Sequence, residues 1–538
     1  MRQEITDLAD AGSYDQCEPF DICLVQDPAD HLWEATRSSL LKLARNDGGR
    51  AYALGLIGDS SVGVEMVPDN VTVFRVPESG ATAQSQVFPV GRFVDLIRRA
   101  FLEKGPDRKV DLLRKLCLLL FESGGSFDST AVWNDPRVVQ VFVSLHKAAG
   151  RQEPFVEWMW EANEWMEVLC QRMIQAKNLP EAKLYHCLSA NHTALVAAVA
   201  AEAHEGELIC NRNFNGFPRN LECLLPSADG CPSFGADFRS SFCELVQELI
   251  EDSTDLMIVP ALHLCPRWET GEKPKVDCSF IPPRVEVIDR DQWEGRRHGI
   301  TRIRIGWIVD HLSTECISRL ADLIEDLELD YQFEFTLLES CPSGRSDPSD
   351  VAEWISEQPW SSRLTVRSGR FRPSQLDDQD LLIKTGEDDE SHWAMIQGMA
   401  RGLPILALRQ PVDEHLEGGG ALQLVDSLES DGALEVLTDW IENTDLRREQ
   451  GEKALQSAER KFSTARTEEI YAHIYSRAFS RIGGDVSGLW KLDGARPVDC
   501  PRRYPGRPFL SSISTRRGGG RRMPKQRTMR PRRKRRYL

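Results

Sequence analysis

The amino-acid sequence predicts an α/β protein with two parallel, doubly wound sheets. Short apolar runs alternate with helical segments, this alternation occurs twice, and a segment rich in Pro and charged residues separates the two series. Strands that are separated by helices form parallel sheets with right-handed crossovers. We therefore expect two Rossmann-like domains with a cleft between them, an N-terminal domain at 1–296 and a C-terminal domain at 297–482.

The first series contains six apolar runs that suit buried strands. The strands are expected at 20–25, 52–57, 71–76, 183–186, 207–210 and 256–260, and the helices near 40–45, 192–203 and 238–250. Between the third and fourth strands, residues 93–178 have helical periodicity with Pro and Gly between the segments. We predict a helical insertion there.

The second series follows residues 266–300, where Pro and charge predict the linker between the domains. Its strands are expected at 303–309, 332–338, 363–367, 380–384 and 404–408, and its helices near 316–327, 348–357, 391–400, 434–442, 446–461 and 467–482.

Composition places the chain among globular cytoplasmic proteins. Of its 538 residues, 41% are apolar and 28% are charged, a normal balance for a packed core. No run approaches the ~20 apolar residues that span a bilayer, and the N-terminus lacks a signal-peptide pattern. The 14 Cys residues contain no CxxC pair, so we interpret them as reduced thiols. Cys223 and Cys231 are a weaker alternative as a ligand pair, and no metal is expected.

The charge is distributed unevenly along the chain. Residues 501–538 hold 15 of the 66 Lys and Arg residues and none of the 83 Asp and Glu residues, so the rest of the chain has a formal charge of −32. Such an acidic body is not expected to bind nucleic acid. Residues 483–538 are predicted to form a disordered basic tail. The tail suits an anionic membrane surface, nucleic acid, the acidic body or export proteins at the inner membrane, or is an incidental extension.

The most informative segment runs from 380 to 420. A strand, an acidic loop at 386–390, a helix, a Gly turn and a second strand follow one another. Ligands of open α/β sheets bind at the carboxyl edge of the strands. Asp389 and Glu390 are therefore candidates for binding a sugar hydroxyl, or they stabilise a helix N-terminus by about 0.3–1 kcal/mol. Lys384 ends the strand and suits a phosphate, or is an ordinary surface Lys.

Other candidates have structural alternatives of at least equal weight. His186 ends a strand of the first series and is either an acid or base, or a hydrogen-bonded structural group. Arg219 and residues 418–420 suit an anion, or belong to a solvated loop and a flexible turn. Three Trp residues have helical spacing, which favours core packing over a sugar-stacking platform: Trp158, Trp160 and Trp165.

Two separated segments resemble one known family: one is 179–222, and the other is 380–420 with the ending that follows it. GMARGLPILAL at 398–408 is similar to the end of the nucleotide-sugar motif of family 4 retaining glycosyltransferases. Residues 179–222 (LPEAKLYHCLSANHTALVAAVAAEAHEGELICNRNFNGFPRNLE) and the ending FSTARTEEIYAHIYSRAF resemble the Pel-type exopolysaccharide glycosyltransferases within it. The resemblance implies the GT-B fold, in which the last helix crosses back to the first domain.

The resemblance also implies a reaction. A hexose would pass from a nucleotide-diphosphate sugar to a glycan acceptor in surface or exopolysaccharide biosynthesis, without a cofactor or metal. Two acidic residues eight positions apart would contact the donor, and these positions are Asp389 and Gln397 here. The family's Arg and Lys after the first strand of the second domain are absent from 306–315, and its Thr-Glu-His-Gly stretch is replaced at 211–214. A catalytically inactive scaffold or regulatory subunit of an assembly complex is therefore the alternative.

Overall fold

The structure, a computed structural model, contains two β-sheets in which all described strand pairs are parallel. The described residues are 6–7, 19–26, 34–46, 50–57, 67–68, 70–76, 88–103, 105–123, 129–148, 154–188, 192–212, 236–259, 276–281, 285, 287–294, 302–309, 323, 332–339, 355–356, 358, 361–367, 371–386, 389–409, 420, 422–428 and 431–482.

Eight strands form the first sheet: β1 (Thr6–Asp7), β2 (Phe20–Gln26), β3 (Tyr52–Ile57), β4 (Val71–Val76), β5 (Ala182–Cys187), β6 (Glu207–Asn211), β7 (Leu256–Val259) and β8 (Asp277–Phe280). Their spatial order is β1-β4-β3-β2-β5-β6-β7-β8. From β2 onward, the six central strands follow the 3-2-1-4-5-6 order of the Rossmann fold. The strand order therefore reverses between β2 and β5.

Eight helices accompany this sheet: α1 (Glu34–Asn46), α2 (Val90–Leu102), α3 (Pro106–Ser123), α4 (Ser129–Trp133), α5 (Pro136–Ala148), α6 (Phe155–Lys177), α7 (His192–Ala203) and α8 (Ala236–Ser253). Helices α2 to α8 share one buried apolar cluster with one face of the sheet. Helix α1 covers the other face. Because α2 to α6 lie between β4 and β5 in the chain, they are the helical insertion that the sequence predicts.

The second sheet contains β9 (Arg302–Val309), β10 (Gln332–Glu339), β11 (Leu364–Arg367), β12 (Leu381–Lys384), β13 (Ile405–Leu408) and β14 (Gln423–Val425). The spatial order is β11-β10-β9-β12-β13-β14. This is again the 3-2-1-4-5-6 order, and it reverses between β9 and β12.

Four helices that the structure describes over their full length follow in this part of the chain: α9 (Arg290–Glu294), α10 (Asp389–Ala400), α11 (Asp431–Glu442) and α12 (Thr444–Phe462). Residues of α10 and α12 pack on one face of the second sheet. Residues of α11 pack on the other face. Both sheets are thus doubly wound, and the predicted α/β fold class is confirmed.

The last described helix, α13 (Thr464–Arg481), returns to the first sheet. Ser463 separates it from α12. Its buried face includes Tyr471, Tyr475 and Phe479, which belong to the same apolar cluster as Ile22 and Leu24 of β2. The crossing that the family resemblance implies is therefore present. Within the described residues, none of the helices combines the length and apolar character that crossing a bilayer requires.

Some local expectations were wrong. The segment predicted as a linker, 266–300, contains β8, which pairs with β7, because a four-residue edge strand has too short an apolar pattern to recognise. The acidic loop at 386–390 is shorter than expected, since α10 begins at Asp389. The helices near 316–327 and 348–357 and the tail at 483–538 lie wholly or largely outside the described residues. The domain boundaries and the cleft stay predictions.

The glycines of the GMARG segment shape the end of α10. Gly402 has a φ of +64°, and the amide of Leu403 donates to the carbonyl of Gly398 at 3.1 Å, which is a Schellman-type helix end. Helix α12 crosses this turn at Gly451. A methyl group added at Gly451 would clash with the carbonyl oxygen of Gly402. The two backbones approach so closely that only glycine fits.

We expect the Gly451→Ala substitution to lower the free energy of unfolding by about 1–3 kcal/mol, because the added methyl overpacks a backbone contact. Gly432→Ala is the matched control, since a methyl group there meets no atom within 4 Å. Denaturant unfolding of both variants measures the difference. Equal stability of the two variants would contradict the close approach of α10 and α12.

Candidate functional site

The carboxyl end of β12 lies at the point where the order of the second sheet reverses. Lys384 is the last residue of this strand and pairs with Ile308 of β9. It lies on the same face as Leu382, the face that packs against α10. Its side chain is only 1% exposed. The expectation of an ordinary surface Lys is therefore wrong, and a cationic side chain is buried at the edge where ligands of such sheets bind.

Hydrogen bonds to β9 fix the first two residues after β12. The Trp307 indole Nε1 donates to Thr385 Oγ1 at 2.8 Å. The backbone amides of Thr385 and Gly386 both donate to the carbonyl of Ile308, at 3.0 and 3.4 Å. These contacts hold the first turn after the strand against β9. Helix α10 starts three residues later.

Asp389 and Glu390 are the first two residues of α10. The structure places them at the carboxyl edge, as the sequence predicts, and at the helix end where the backbone dipole favours negative charge. The same helix end and Lys384 both favour an anionic ligand group. The roles of Asp389 and Glu390 stay a prediction.

Gln397 lies elsewhere on the helix. Eight residues separate it from Asp389, which is about 12 Å along the helix axis. Its side chain is 5% exposed, and its Oε1 accepts a hydrogen bond from Arg401 Nη1 at 2.9 Å. Arg401 Nε donates in turn to Asp377 at 2.8 Å. The structure therefore brings Lys384, Asp389 and Glu390 to one edge but joins Gln397 to a separate polar network.

His186 lies near the reversal point of the first sheet and is fully buried. Its Nδ1 lies 2.6 Å from the hydroxyl of Tyr475 on α13, and its Nε2 lies 3.0 Å from Asn211 Oδ1 on β6. The amide oxygen of Asn211 can only accept, so His186 donates from Nε2 and accepts the Tyr475 hydroxyl proton at Nδ1. Both ring nitrogens are used in holding α13 on the sheet, which favours the structural interpretation of this residue.

The electrostatics of this cluster agree with a neutral imidazole. Burial lowers the pKa of His186 to about 4, and the hydrogen bond that His186 donates to Asn211 raises it by less. Burial raises the pKa of Tyr475 well above its usual value. A proton on His186 would therefore lack solvation and would remove the acceptor that the Tyr475 hydroxyl needs.

More polar side chains share this face of the sheet. Gln26 ends β2, Thr36 and Ser39 belong to α1, and all three are buried. Among the described residues, the Tyr471 hydroxyl and Asn211 Nδ2 have no hydrogen-bond partner of good geometry. Burial raises the pKa of the Tyr471 hydroxyl, and the nearby Asn211 and Thr36 side chains lower it by less. The two unsatisfied atoms thus lie in one buried polar cluster.

The structure describes only some of the remaining candidate residues. Trp158 is buried, as expected, but Trp160 is 63% exposed, so its assignment to the core was wrong. The side chain of Trp165 and the residues Arg219, Cys223, Cys231, 310–315 and 418–419 lie outside the described part of the chain. Among the side chains that are described, no group of three or more His, Cys, Asp or Glu is arranged to hold a metal ion.

Sequence reasoning missed the partners of these residues. Tyr475 is 289 positions from His186, and no local pattern connects them. Asn211 is the first residue of the stretch that departs from the family motif, and in this structure it is the acceptor for His186. The bond from Trp307 to Thr385 likewise joins residues 78 positions apart. Only the packing of distant strands and helices against one another shows these pairs.

Three comparisons with known proteins were made, two of them with the sequence alone. A family model described as a domain of unknown function, DUF3492, matches residues 77–211, which include the helical insertion and strands β5 and β6. This is about a quarter of the chain. No curated protein matches the sequence.

Similar solved structures cover most of the chain. HepE from Anabaena, in complex with UDP and glucose, is 14% identical and has a TM-score of 0.49, over 85% of this chain and 99% of that chain. Sucrose-phosphate synthase from Thermosynechococcus elongatus is 12% identical with a TM-score of 0.48, over 86% and 100%. The lipopolysaccharide outer core galactosyltransferase WaaB is 10% identical with a TM-score of 0.45, over 85% and 99%. Similarity of this degree does not transfer a substrate or a reaction.

We expect the stability of the protein to decrease at low pH because His186 is buried in its neutral form. Its folded-state pKa of about 4 lies below the usual 6.5, so between these values the unfolded chain binds a proton that the folded chain does not. Stability therefore falls as the pH drops from 6.5 to 4, by about 3 kcal/mol from this residue.

A comparison of the wild type with His186→Gln tests whether His186 causes this loss of stability. The free energy of unfolding of both proteins is measured from pH 7.5 to 4. The variant has no imidazole to titrate and should lose about 3 kcal/mol less over the same interval. The same pH slope in both proteins would show that His186 is not the group responsible.

Proposed function

We propose that this protein is a glycosyltransferase that moves a hexose from a nucleotide-diphosphate sugar to a glycan acceptor in surface or exopolysaccharide biosynthesis. The observation that carries the proposal is the edge at β12. There, a buried Lys384 ends the strand at the reversal point of a Rossmann-order sheet, and α10 begins with Asp389 and Glu390.

The chemistry of that edge suits a nucleotide-sugar donor. The Lys384 ammonium and the N-terminus of α10 both favour the negative charge of a departing diphosphate. Carboxylates accept hydrogen bonds from sugar hydroxyls, which is the role proposed for Asp389 and Glu390. Catalysis would come mainly from holding donor and acceptor in line and from electrostatic stabilisation of the leaving group. Retention of configuration rests on the family resemblance alone.

A catalytically inactive scaffold or regulatory subunit of a polysaccharide assembly complex is the second candidate. Two observations favour it. The segment 306–315 contains no Arg or Lys, so the usual pair of cations for the diphosphate is missing. The uncharged Gln397 occupies the second acidic position and is bonded to Arg401. A protein of this kind would bind a nucleotide without releasing the nucleoside diphosphate from its sugar, which separates the two functions.

We expect a nucleotide or nucleotide sugar to stabilise the protein against thermal unfolding. The measurement is the melting temperature with and without UDP, GDP and their hexose conjugates. A ligand at about 100 times its dissociation constant stabilises by roughly 2.7 kcal/mol. Lys384→Met should remove most of this shift, because it deletes the buried charge and keeps the side-chain length. No shift with any of these compounds would end the donor-binding proposal.

Two further variants localise the ligand. Lys453→Met is the charge-matched control, since Lys453 is partly exposed and pairs with Glu449 on α12; it should keep the full shift. Gln397→Ala distinguishes two positions of the nucleotide. A reduced shift would place the nucleotide along α10, whereas the bond between Gln397 and Arg401 favours an unchanged shift.

For the basic tail, we propose that the protein is cytoplasmic and binds peripherally to an anionic inner-membrane surface, beside the proteins that export the polymer. The 15 basic residues of 501–538 suit such a surface, at about 1 kcal/mol for each Lys or Arg near the lipid.

We expect the full chain to sediment with vesicles of phosphatidylglycerol and phosphatidylcholine. Binding should weaken at least tenfold between 50 and 300 mM salt, because salt screens surface charges. A chain without residues 501–538 should not sediment, and phosphatidylcholine vesicles alone should bind neither protein. Equal sedimentation of the shortened chain would dismiss the membrane role of the tail.

A further inference from the structure

Trp307 of β9 is a fully buried side chain whose single polar atom is bonded to a residue outside the strands. The indole is 0% exposed and belongs to the same apolar cluster as Ile383 of β12. An indole Nε1 can only donate, and here it donates to Thr385 Oγ1 at 2.8 Å. The bond therefore runs from the core of the second sheet to the first residue after β12.

The hydroxyl of Thr385 is fully engaged by this arrangement. Its oxygen accepts from Trp307, and its own proton is donated to the carbonyl oxygen of Ile308 at 3.3 Å. The amides of Thr385 and Gly386 donate to the same carbonyl oxygen, at 3.0 and 3.4 Å. Because a carbonyl oxygen has two lone pairs, these three donors compete with one another. The bond from Trp307 has its own acceptor and is the shortest of the four, so it is the contact that fixes Thr385 most firmly.

Thr385 connects the two groups of the proposed donor site. Lys384 precedes it directly, and α10 begins four residues after it, at Asp389. Successive side chains of a strand point to opposite faces, so Lys384 lies on the α10 face of the sheet while Trp307 holds Thr385 on the α11 face. A rotation of the backbone at Thr385 would turn Lys384 and the start of α10 relative to each other. The bond on one face therefore maintains the arrangement on the other.

We propose that Trp307 is a positioning residue for the nucleoside diphosphate part of the donor. It acts through Thr385 and, being fully buried, does not contact the ligand itself. This inference rests on the proposed donor site at β12. Groups that are already in place bind a ligand more tightly, because binding does not have to order them. The hydrogen bond between Trp307 and Thr385 consequently contributes to nucleotide affinity as well as to stability.

The test is a double-mutant cycle on the dissociation constant for UDP or GDP, whichever stabilises the wild type, measured by isothermal titration calorimetry. Trp307→Phe removes the indole N–H and keeps an aromatic ring, and Thr385→Val removes the hydroxyl and keeps the branched shape. Each variant should raise the dissociation constant about fivefold, the factor that corresponds to one hydrogen bond. The double variant should bind as weakly as either single variant, because all three lack the same bond.

Two controls separate positioning from a general loss of stability. Trp440→Phe makes the same change in the same apolar cluster, but on α11. It should lower the melting temperature to a similar degree and keep the wild-type dissociation constant. Thr385→Ser keeps the hydroxyl and should restore binding to within twofold of the wild type.

The outcomes distinguish this inference from the proposal on which it rests. Wild-type affinity in Trp307→Phe, an equal loss of affinity in Trp440→Phe, or additive losses in the double variant would overturn the positioning role alone. Additive losses would mean that Thr385 contributes to binding independently of Trp307. If the wild type binds neither nucleotide, the donor site and the positioning role both fail.

Discussion

The return of α13 to the first sheet is the constraint on which much of the arrangement depends. The helix follows α12, which packs on the second sheet, after the single residue Ser463. Its residues Tyr471 and Tyr475 bury the face of the sheet that α1 covers only in part. Because the Tyr475 hydroxyl donates to a neutral His186, this packing carries a specific polar contact as well as apolar area. The unsatisfied atoms of Asn211 and Tyr471 show that the polar cluster is incomplete within the described residues.

The segment that resembles the glycosyltransferase motif contains two kinds of residue. Some shape the fold, and others stand at positions that the resemblance assigns to donor binding. A side chain at Gly398 would lie against Leu382 of β12, and one at Gly402, where φ is +64°, would clash with Trp293 of α9. At the position where the resemblance implies a second acidic residue, the chain has Gln397, which is bonded to Arg401. Similarity in this segment consequently indicates the fold more strongly than the activity.

His186 and Lys384 are both buried, and each lies close to the point where the strand order of its own sheet reverses. Their environments differ. His186 is surrounded by a tyrosine hydroxyl and an amide, and burial keeps it neutral. Lys384 is also buried, but it lies beside the start of a helix whose first residues are acidic. Parallel strands bring their ends to one edge in both sheets, so position alone does not distinguish a structural residue from a binding residue. The side chains contributed by neighbouring elements make that distinction.

The sequence by itself determined the two α/β series, the helical insertion and most strand positions, because these depend on apolar periodicity within ten or twenty residues. It also placed Asp389 and Glu390 at a helix start. Tertiary structure alone decided that Lys384 is buried, that Trp160 is exposed while Trp158 is not, and that Tyr475 bonds His186 across 289 positions. The physical reason is that burial and hydrogen-bond partners depend on which distant elements pack together, and a local pattern carries no information about that choice.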